Sequence, residues 1–96
     1  MGYRFEWDRR KAIANAGKHG VTFEEASTVF RDPLAFIFDD ESHSEDEPRE
    51  IIIGHSVGRR LVIVYFTERA EGVIRIISAR PATKKERENH EENISI

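Results

Sequence analysis

Between Glu50 and Arg80 the chain can do little except form adjacent strands. Three apolar, β-branched runs, Glu50 to Val57, Arg60 to Thr67 and Gly72 to Arg80, follow one another with only Ser56–Arg59 and Glu68–Glu71 as separators. Links that short join antiparallel neighbours as hairpins, because a parallel pairing needs a crossover of a dozen or more residues. This stretch is therefore expected to be an antiparallel meander that the remaining elements cover.

Those elements are legible too. Tyr3, Phe5 and Trp7 alternate with Arg4 and Glu6, the period of a short first strand. Asp8 is placed to cap a helix over 9–16, with Ala12, Ile13 and Ala16 as a narrow apolar stripe and Gly17 as its stop. Thr22-Phe23-Glu24-Glu25 is a capping box that opens a second helix, with Phe23, Ala26, Val29 and Phe30 on one face and Asp32-Pro33 ending it. Leu34 to Phe38 is a short apolar run ahead of an acidic loop, 39–48, expected to be mobile. Thr83, with Glu86 three residues on, is a second capping box and starts a last helix running to about Glu92. The order β-α-α-β-β-β-β-α predicts an α+β fold, helices packed on a curved antiparallel sheet. A chain of 96 residues is one domain, 1–96.

Composition removes several chemistries. The chain has no cysteine, which excludes disulfides, thiolate zinc sites and a cysteine nucleophile. No apolar run approaches the ~20 residues needed to span a bilayer, and the N-terminus has no apolar signal region, so a soluble, cytoplasmic protein without a membrane partner is expected. The formal net charge of -3 argues against a nucleic-acid partner until its distribution is read. Residues 32–50 hold eight acids and one base, whereas 59–87 hold eight bases and three acids, so the mean conceals a basic half.

The strand 74–80 carries Arg75, Ser78 and Arg80, and the helix start after it adds Lys84, Lys85 and Arg87. An unpaired guanidinium is too costly to bury, so these arginines are expected where the strand meets a surface or cleft. Such a concentration of fixed positive charge suits a phosphate-bearing partner, and RNA is the first expectation.

Two motifs carry a family resemblance. Phe5-x-Trp7-Asp8, Lys11, Asn15, Lys18-His19-Gly20-Val21-x-Phe23-x-x-Ala26 and Val29-Phe30-x-Asp32 resemble the N-terminal signature of BrnT proteins. Ile53-Gly54, Arg60, Val62, Thr67-Glu68-Arg69, Ile74 to Arg80 and Lys85-Glu86-Arg87 resemble the C-terminal one. The resemblance spans nearly the whole chain. It implies a RelE-like fold and the ribonuclease toxin of a bacterial type II toxin–antitoxin pair, which arrests translation. It also implies a BrnA-like ribbon-helix-helix antitoxin, with operator DNA bound only through that antitoxin. Where the family often has a tyrosine in the last helix, this chain has His90.

Metal-independent RNA cleavage uses the ribose 2′-OH as nucleophile, so such an enzyme must align the phosphodiester, stabilise its oxyanion and move two protons. No cofactor and no metal are expected. Arg80 is the leading catalytic candidate, because its planar fork matches phosphate oxygens and it stands beside a helix N-terminus. Strand alternation groups it with Ser78 and Ile76 and sends Arg75, a further catalytic candidate, to the opposite face unless a bulge intervenes. The alternative role for Arg75 is a structural pairing or an antitoxin contact. A salt bridge to Glu86 is the ordinary alternative role for Arg80. Arg60, opening the neighbouring strand, is a second catalytic candidate, with a plain hairpin-end charge as its alternative. Glu86 and His90, one helical turn apart, are a candidate acid–base pair. Lys18, His19, Ser78, Lys84 and Lys85 are candidate RNA contacts, although His19 reads more simply as a helix-end cap and Ser78 as satisfied by backbone. His43 falls in the acidic loop, His55 reads as packed in a strand, and Asp39-Asp40-Glu41 reads as solvated loop rather than a Mg²⁺ site. Trp7, Phe5, Phe23 and Phe30 read as core. A second function class stays open, a non-catalytic module that binds the antitoxin and serves only as corepressor.

Overall fold

The computed structural model of the chain describes residues 2–41 and 48–94. Its elements are β1 (Arg4–Glu6), α1 (Arg9–His19), α2 (Phe23–Thr28), a 3-10 turn (Val29–Arg31), β2 (Phe36–Asp39), β3 (Glu50–His55), β4 (Leu61–Ala70), β5 (Val73–Pro81) and α3 (Lys84–Ile94). The strands form one sheet in the order β1-β5-β4-β3-β2. After β1 the chain crosses the sheet as α1, α2 and the 3-10 turn, and reaches the opposite edge as β2. The meander β2-β3-β4-β5 then returns, and β5 docks beside β1. That last pairing is parallel, Phe5 opposite Ile74 and Glu6 opposite Arg75, while the other three are antiparallel.

Caps mark the helices where side-chain chemistry placed them. The Asp8 carboxylate accepts from the backbone N–H of Lys11 at 3.0 Å, and Thr22 Oγ1 accepts from that of Glu25 at 3.0 Å. The first helix runs past Gly17, however, and stops at Gly20. The left-handed φ of 70° there suits glycine, and its N–H closes on the Ala16 carbonyl at 2.9 Å. Gly17 stays helical because a glycine inside a helix costs only about 1 kcal/mol and a better stop follows three residues later.

The core lies between the helices and one sheet face. Val21, Phe23, Ala26 and Val29 pack on Ile52, Val62, Val64, Phe66, Ile74, Ile76 and Ala79, all buried. Phe5, Trp7 and Phe30 close its rim, half-buried, with Phe30 edge-on to Phe66 at 4.9 Å. A buried Asn15 fastens α1 to β5: its amide nitrogen donates to the carbonyls of Val21 and Ala79, both at 2.9 Å, and its oxygen accepts from the Ala79 N–H at 3.1 Å. β1 pairs with β5 only through residue 75, so this amide satisfies a strand edge that no neighbouring strand reaches.

One irregularity decides what the other face carries. Tyr65 pairs with Ser78 and the next residue, Phe66, with Ile76, so Ile77 is an extra residue in β5, a β-bulge. Before the bulge Ile74 and Ile76 face the helices, and after it Ala79 does. Arg80 therefore shares its face with Ser78 but not with Ile76, and the bulge brings Arg75 onto that same face instead of the opposite one. Opposite these residues stand Thr67, Tyr65 and Ile63 of β4. The acidic-loop residues 42–47, His43 among them and with them most of the loop expected to be mobile, lie outside the described residues.

Candidate functional site

The sheet face away from α1 and α2 is only partly covered. α3 lies across one end of it, above Ile53, Leu61, Ile63 and Ala82, and the rest presents Arg75, Ser78, Tyr65 and Arg80. Arg75 and Arg80 lie opposite Thr67 and Ile63, four residues apart along β4, which is about 13 Å at the rise of a strand. Lys84 and Lys85 extend the basic strip as exposed residues of the first turn of α3. Cations at a helix N-terminus oppose its dipole, so their presence there fits an anion better than it fits helix stability.

Each arginine expected at the site has an acidic partner. Arg80 holds Glu86 bidentately, Nη1 to Oε1 and Nη2 to Oε2, both at 2.9 Å, with each side chain about one-third exposed. Glu86 also accepts from the backbone N–H of Thr83 at 2.8 Å, and Thr83 Oγ1 accepts from the N–H of Glu86 at 3.2 Å, so the capping box fixes the carboxylate that fixes the guanidinium. The Arg80 bonds, opposed by partial burial and joined by the Thr83 N–H, hold the Glu86 carboxyl down to about 2. Glu86, and less strongly the adjoining Tyr65 hydroxyl, shift Arg80 upward against its burial. Arg75 donates to Glu6 at 3.2 Å, across the parallel β1–β5 pair.

Arg60 lies elsewhere. Its Nε and Nη2 donate to Glu25 at 2.8 and 2.7 Å, and Nη2 donates to the Gly20 carbonyl at 2.6 Å. Ser56 Oγ donates to the same carboxylate at 2.6 Å. Glu25 is lowered chiefly by the Arg60 bond, with burial opposing it. This network ties the β3–β4 hairpin to the α1–α2 link. The second half of the first capping box is given up to it, since Glu25 turns to Arg60 rather than to its own N-cap. Lys18 and His19 close the last turn of α1, the element packed on the opposite sheet face.

The expected Glu86–His90 pair is not formed. Glu86 is engaged by Arg80 and Thr83, and His90 is 3 % exposed with neither ring nitrogen hydrogen-bonded among the described residues. Its ring stands edge-on to Phe36 at 5.4 Å and tilted to His55 at 5.9 Å. Burial, with the neighbouring His55 adding to it, pushes the His90 pKa down, so the ring is neutral near pH 7. His55 is not packed as its strand position suggested: its side chain is 50 % exposed, with Asp32 Oδ2 at 3.5 Å from Nδ1 and accepting the His55 backbone N–H at 2.7 Å.

Among the described residues, α3 is flanked on this face by a depression on either side. One, of about 330 Å³, has apolar walls from Phe36, Phe38, Ile53 and Ile63 with Glu86 and His90 at its edge. The other, of about 270 Å³, lies between the β3–β4 hairpin and α3. Sequence reasoning missed three side chains here. Tyr65 was read only as a strand residue, though pairing with Ser78 puts it beside Arg80. Asp32 and His55 are 23 positions apart, and nothing in either segment announces their contact.

Comparison with known proteins agrees with this architecture. The family described as the ribonuclease toxin BrnT of type II toxin–antitoxin systems matches residues 7–86. The chain belongs to the BrnT family. The crystal structure of the Brucella abortus ribonuclease toxin BrnT superposes with a TM-score of 0.66, at 24 % identity, covering 85 % of this chain and 99 % of that one. That likeness shows the shared fold. No curated protein sequence matches. The BrnT match ends at Glu86, so His90 and the rest of α3 lie outside it. Among the described residues of this BrnT family member, no helix is long and apolar enough to cross a membrane.

Proposed function

We propose that the chain is an endoribonuclease toxin that cleaves RNA without a metal, through attack of the ribose 2′-OH on the adjacent phosphodiester, and so inhibits translation in the cytoplasm. The observation that carries the proposal is the bulge at Ile77, which collects Arg75, Ser78 and Arg80 on one accessible face beside Lys84 and Lys85. Arg80 would take the non-bridging phosphate oxygens through its planar fork, as charge builds on them in the pentacoordinate state. Glu86 is then a positioning residue: a carboxyl held at about 2 is a poor proton acceptor, but it presets the guanidinium plane. Tyr65, paired with Ser78 and adjoining Arg80, would exchange a proton with the reacting oxygens through its hydroxyl, and Ser78 would donate to phosphate. Arg75, Lys84 and Lys85 would track the backbone on either side. A BrnA-like ribbon-helix-helix antitoxin would silence the enzyme and carry operator DNA for the pair.

A second reading, a corepressor without catalysis, is favoured by one observation: Arg60, Arg75 and Arg80 are each neutralised by a carboxylate. RNA degradation by the purified chain in EDTA, beside Arg80→Ala and with excess antitoxin, separates the two. The enzyme reading expects cleavage that survives EDTA, falls at least 100-fold with the substitution on the scale of losing one oxyanion donor, and stops with antitoxin. Intact RNA together with tight antitoxin binding would favour the corepressor.

A further inference from the structure

The depression between the β3–β4 hairpin and α3 is outside the Arg80 site and adjoins it, since Pro81 and Ala82 form part of its wall. Its other lining is strongly basic: Arg59, Arg60 and Arg87 with His55 and His90, against a single carboxylate, Glu91. Arg60 is spent on Glu25, but Arg59 and Arg87 have no acidic partner among the described residues, and Arg87 makes only a long 3.3 Å bond to the Ala82 carbonyl. Arg59 is also the one non-glycine residue with positive φ, 65°, among the described residues. The tight hairpin holds it there, Arg59 N–H to the Ser56 carbonyl at 2.9 Å, at a turn position where glycine or asparagine would be unstrained.

A second, independent observation concerns the wall of the same depression. His90 lines it, is buried, and has two ring nitrogens with no hydrogen bond among the described residues. Buried polar atoms are almost always satisfied, so an unpaired imidazole shut off from solvent in the wall of a basic cleft fits a site whose occupant draws the ring toward an acceptor on binding. His55, steadied by Asp32 on its Nδ1 side, leaves Nε2 as its other hydrogen-bonding atom. Two guanidiniums and two imidazoles converge on a space of about 270 Å³, which suits a tetrahedral dianion or phosphodiester better than a carboxylate-bearing or neutral ligand.

We infer that this cleft is a second phosphate subsite, in which Arg59, Arg87 and His55, with His90 at the floor, hold a backbone phosphate of the RNA strand whose scissile phosphate lies at Arg80. The inference rests on the RNA-directed reading above and adds to it the register of the bound strand. Leu61, which pairs with His55, is two residues along β4 from Ile63, which pairs with Arg80, so the subsites are about 7 Å apart along that strand. One RNA strand can therefore occupy both.

The test uses two probes on the full chain. A 2′-O-methyl oligoribonucleotide lacks the nucleophile, so it reports binding without cleavage, and inorganic phosphate reports the cleft alone. Arg59→Asn removes the charge while easing the backbone, and Arg87→Gln sits on an exposed helix surface, so neither variant is expected to unfold. The expected result is a roughly tenfold weaker oligonucleotide affinity in the double variant, with a salt dependence shallower by about one to two. Phosphate should move the His55 and His90 ring resonances in the wild type only. An oligonucleotide affinity and salt slope unchanged in the double variant would overturn the inference, and phosphate shifts that persisted beside that result would assign the cleft to free phosphate instead. Wild-type chain that binds the oligonucleotide through these residues but never cuts an unmodified RNA would support the subsite while defeating the nuclease reading.

Discussion

Replacing Asn15 by leucine should unfasten the strand that carries the basic face. The side chain makes three buried hydrogen bonds, two to the N–H and C=O of Ala79 and one to the carbonyl of Val21. Leucine is close in size, so the change isolates the polar contacts. Each of the three backbone groups left dry and unpaired costs ~1–3 kcal/mol and added burial of the leucine returns ~1 kcal/mol, so the net loss spans ~2–8 kcal/mol, and about 3 kcal/mol is the conservative figure. A domain this size has ~5–14 kcal/mol in total and loses ~4–8 °C of Tm per kcal/mol, so the midpoint should fall by ~12–24 °C. Thermal unfolding followed by circular dichroism measures it. Asn15→Asp adds a sign: the carboxylate would face two carbonyl oxygens, so its folded pKa rises above the unfolded value, the variant is weakest above that raised pKa, and it recovers as pH falls. A drop under ~3 °C for the leucine variant would refute the reasoning, since the Ala79 edge would then be satisfied some other way.

Three further outcomes are expected. The Glu86 carboxyl sits at about 2 in the fold against an ordinary 4.5, so its contribution is complete above about 4.5 and lost as pH falls toward 2; Glu86→Gln should cost ~1–2 kcal/mol at pH 7, allowing for solvent screening, with a difference from wild type that vanishes near pH 2 in acid-unfolding titrations. His90→Phe exchanges a buried, unpaired imidazole for an apolar ring of similar size, and should raise stability by ~1 kcal/mol in urea while weakening phosphate binding. Gly54→Ala would put a methyl 2.8 Å from Ala35 Cβ and 3.1 Å from the Asp32 carboxylate that holds His55, so a loss of ~1–3 kcal/mol and a displaced His55 resonance are expected by denaturation and NMR.

The elements of this fold announce themselves because their signals are local. Asp8, Thr22 and Thr83 cap the helices they were expected to cap, and the hairpin separators produce the antiparallel meander. What stayed hidden depends on pairing between distant segments. The bulge at Ile77 sits in an isoleucine-rich strand where no composition marks an extra residue, so strict alternation misassigned the faces of Arg75 and Ile76. Asn15 has the sequence setting of a surface helix residue and is buried because an unpaired strand edge lies opposite it. The arginine-carboxylate pairs divide by range: Arg80–Glu86 spans six positions and was foreseen as an alternative, whereas Arg60–Glu25 spans thirty-five and was not.

The extra residue at Ile77 also governs how the chain can change by mutation. A substitution there alters one side chain and leaves the neighbours in place. Loss of that single codon would leave Ile76 and Ser78 adjacent opposite Phe66 and Tyr65, so strict alternation would return with Arg75, Ser78 and Arg80 still on one face and Ile74, Ile76 and Ala79 still on the other. A residue added to the regularly paired part of β5 would instead turn one half of the strand over, driving a guanidinium among Val64, Phe66 and Phe23 while an apolar side chain took its place outside. The strand should consequently tolerate many point changes and the loss of its bulge residue, but not a residue added to its paired part. The basic face can be worn away residue by residue, and it outlasts a deletion at Ile77, but a single insertion in its paired strand would split it.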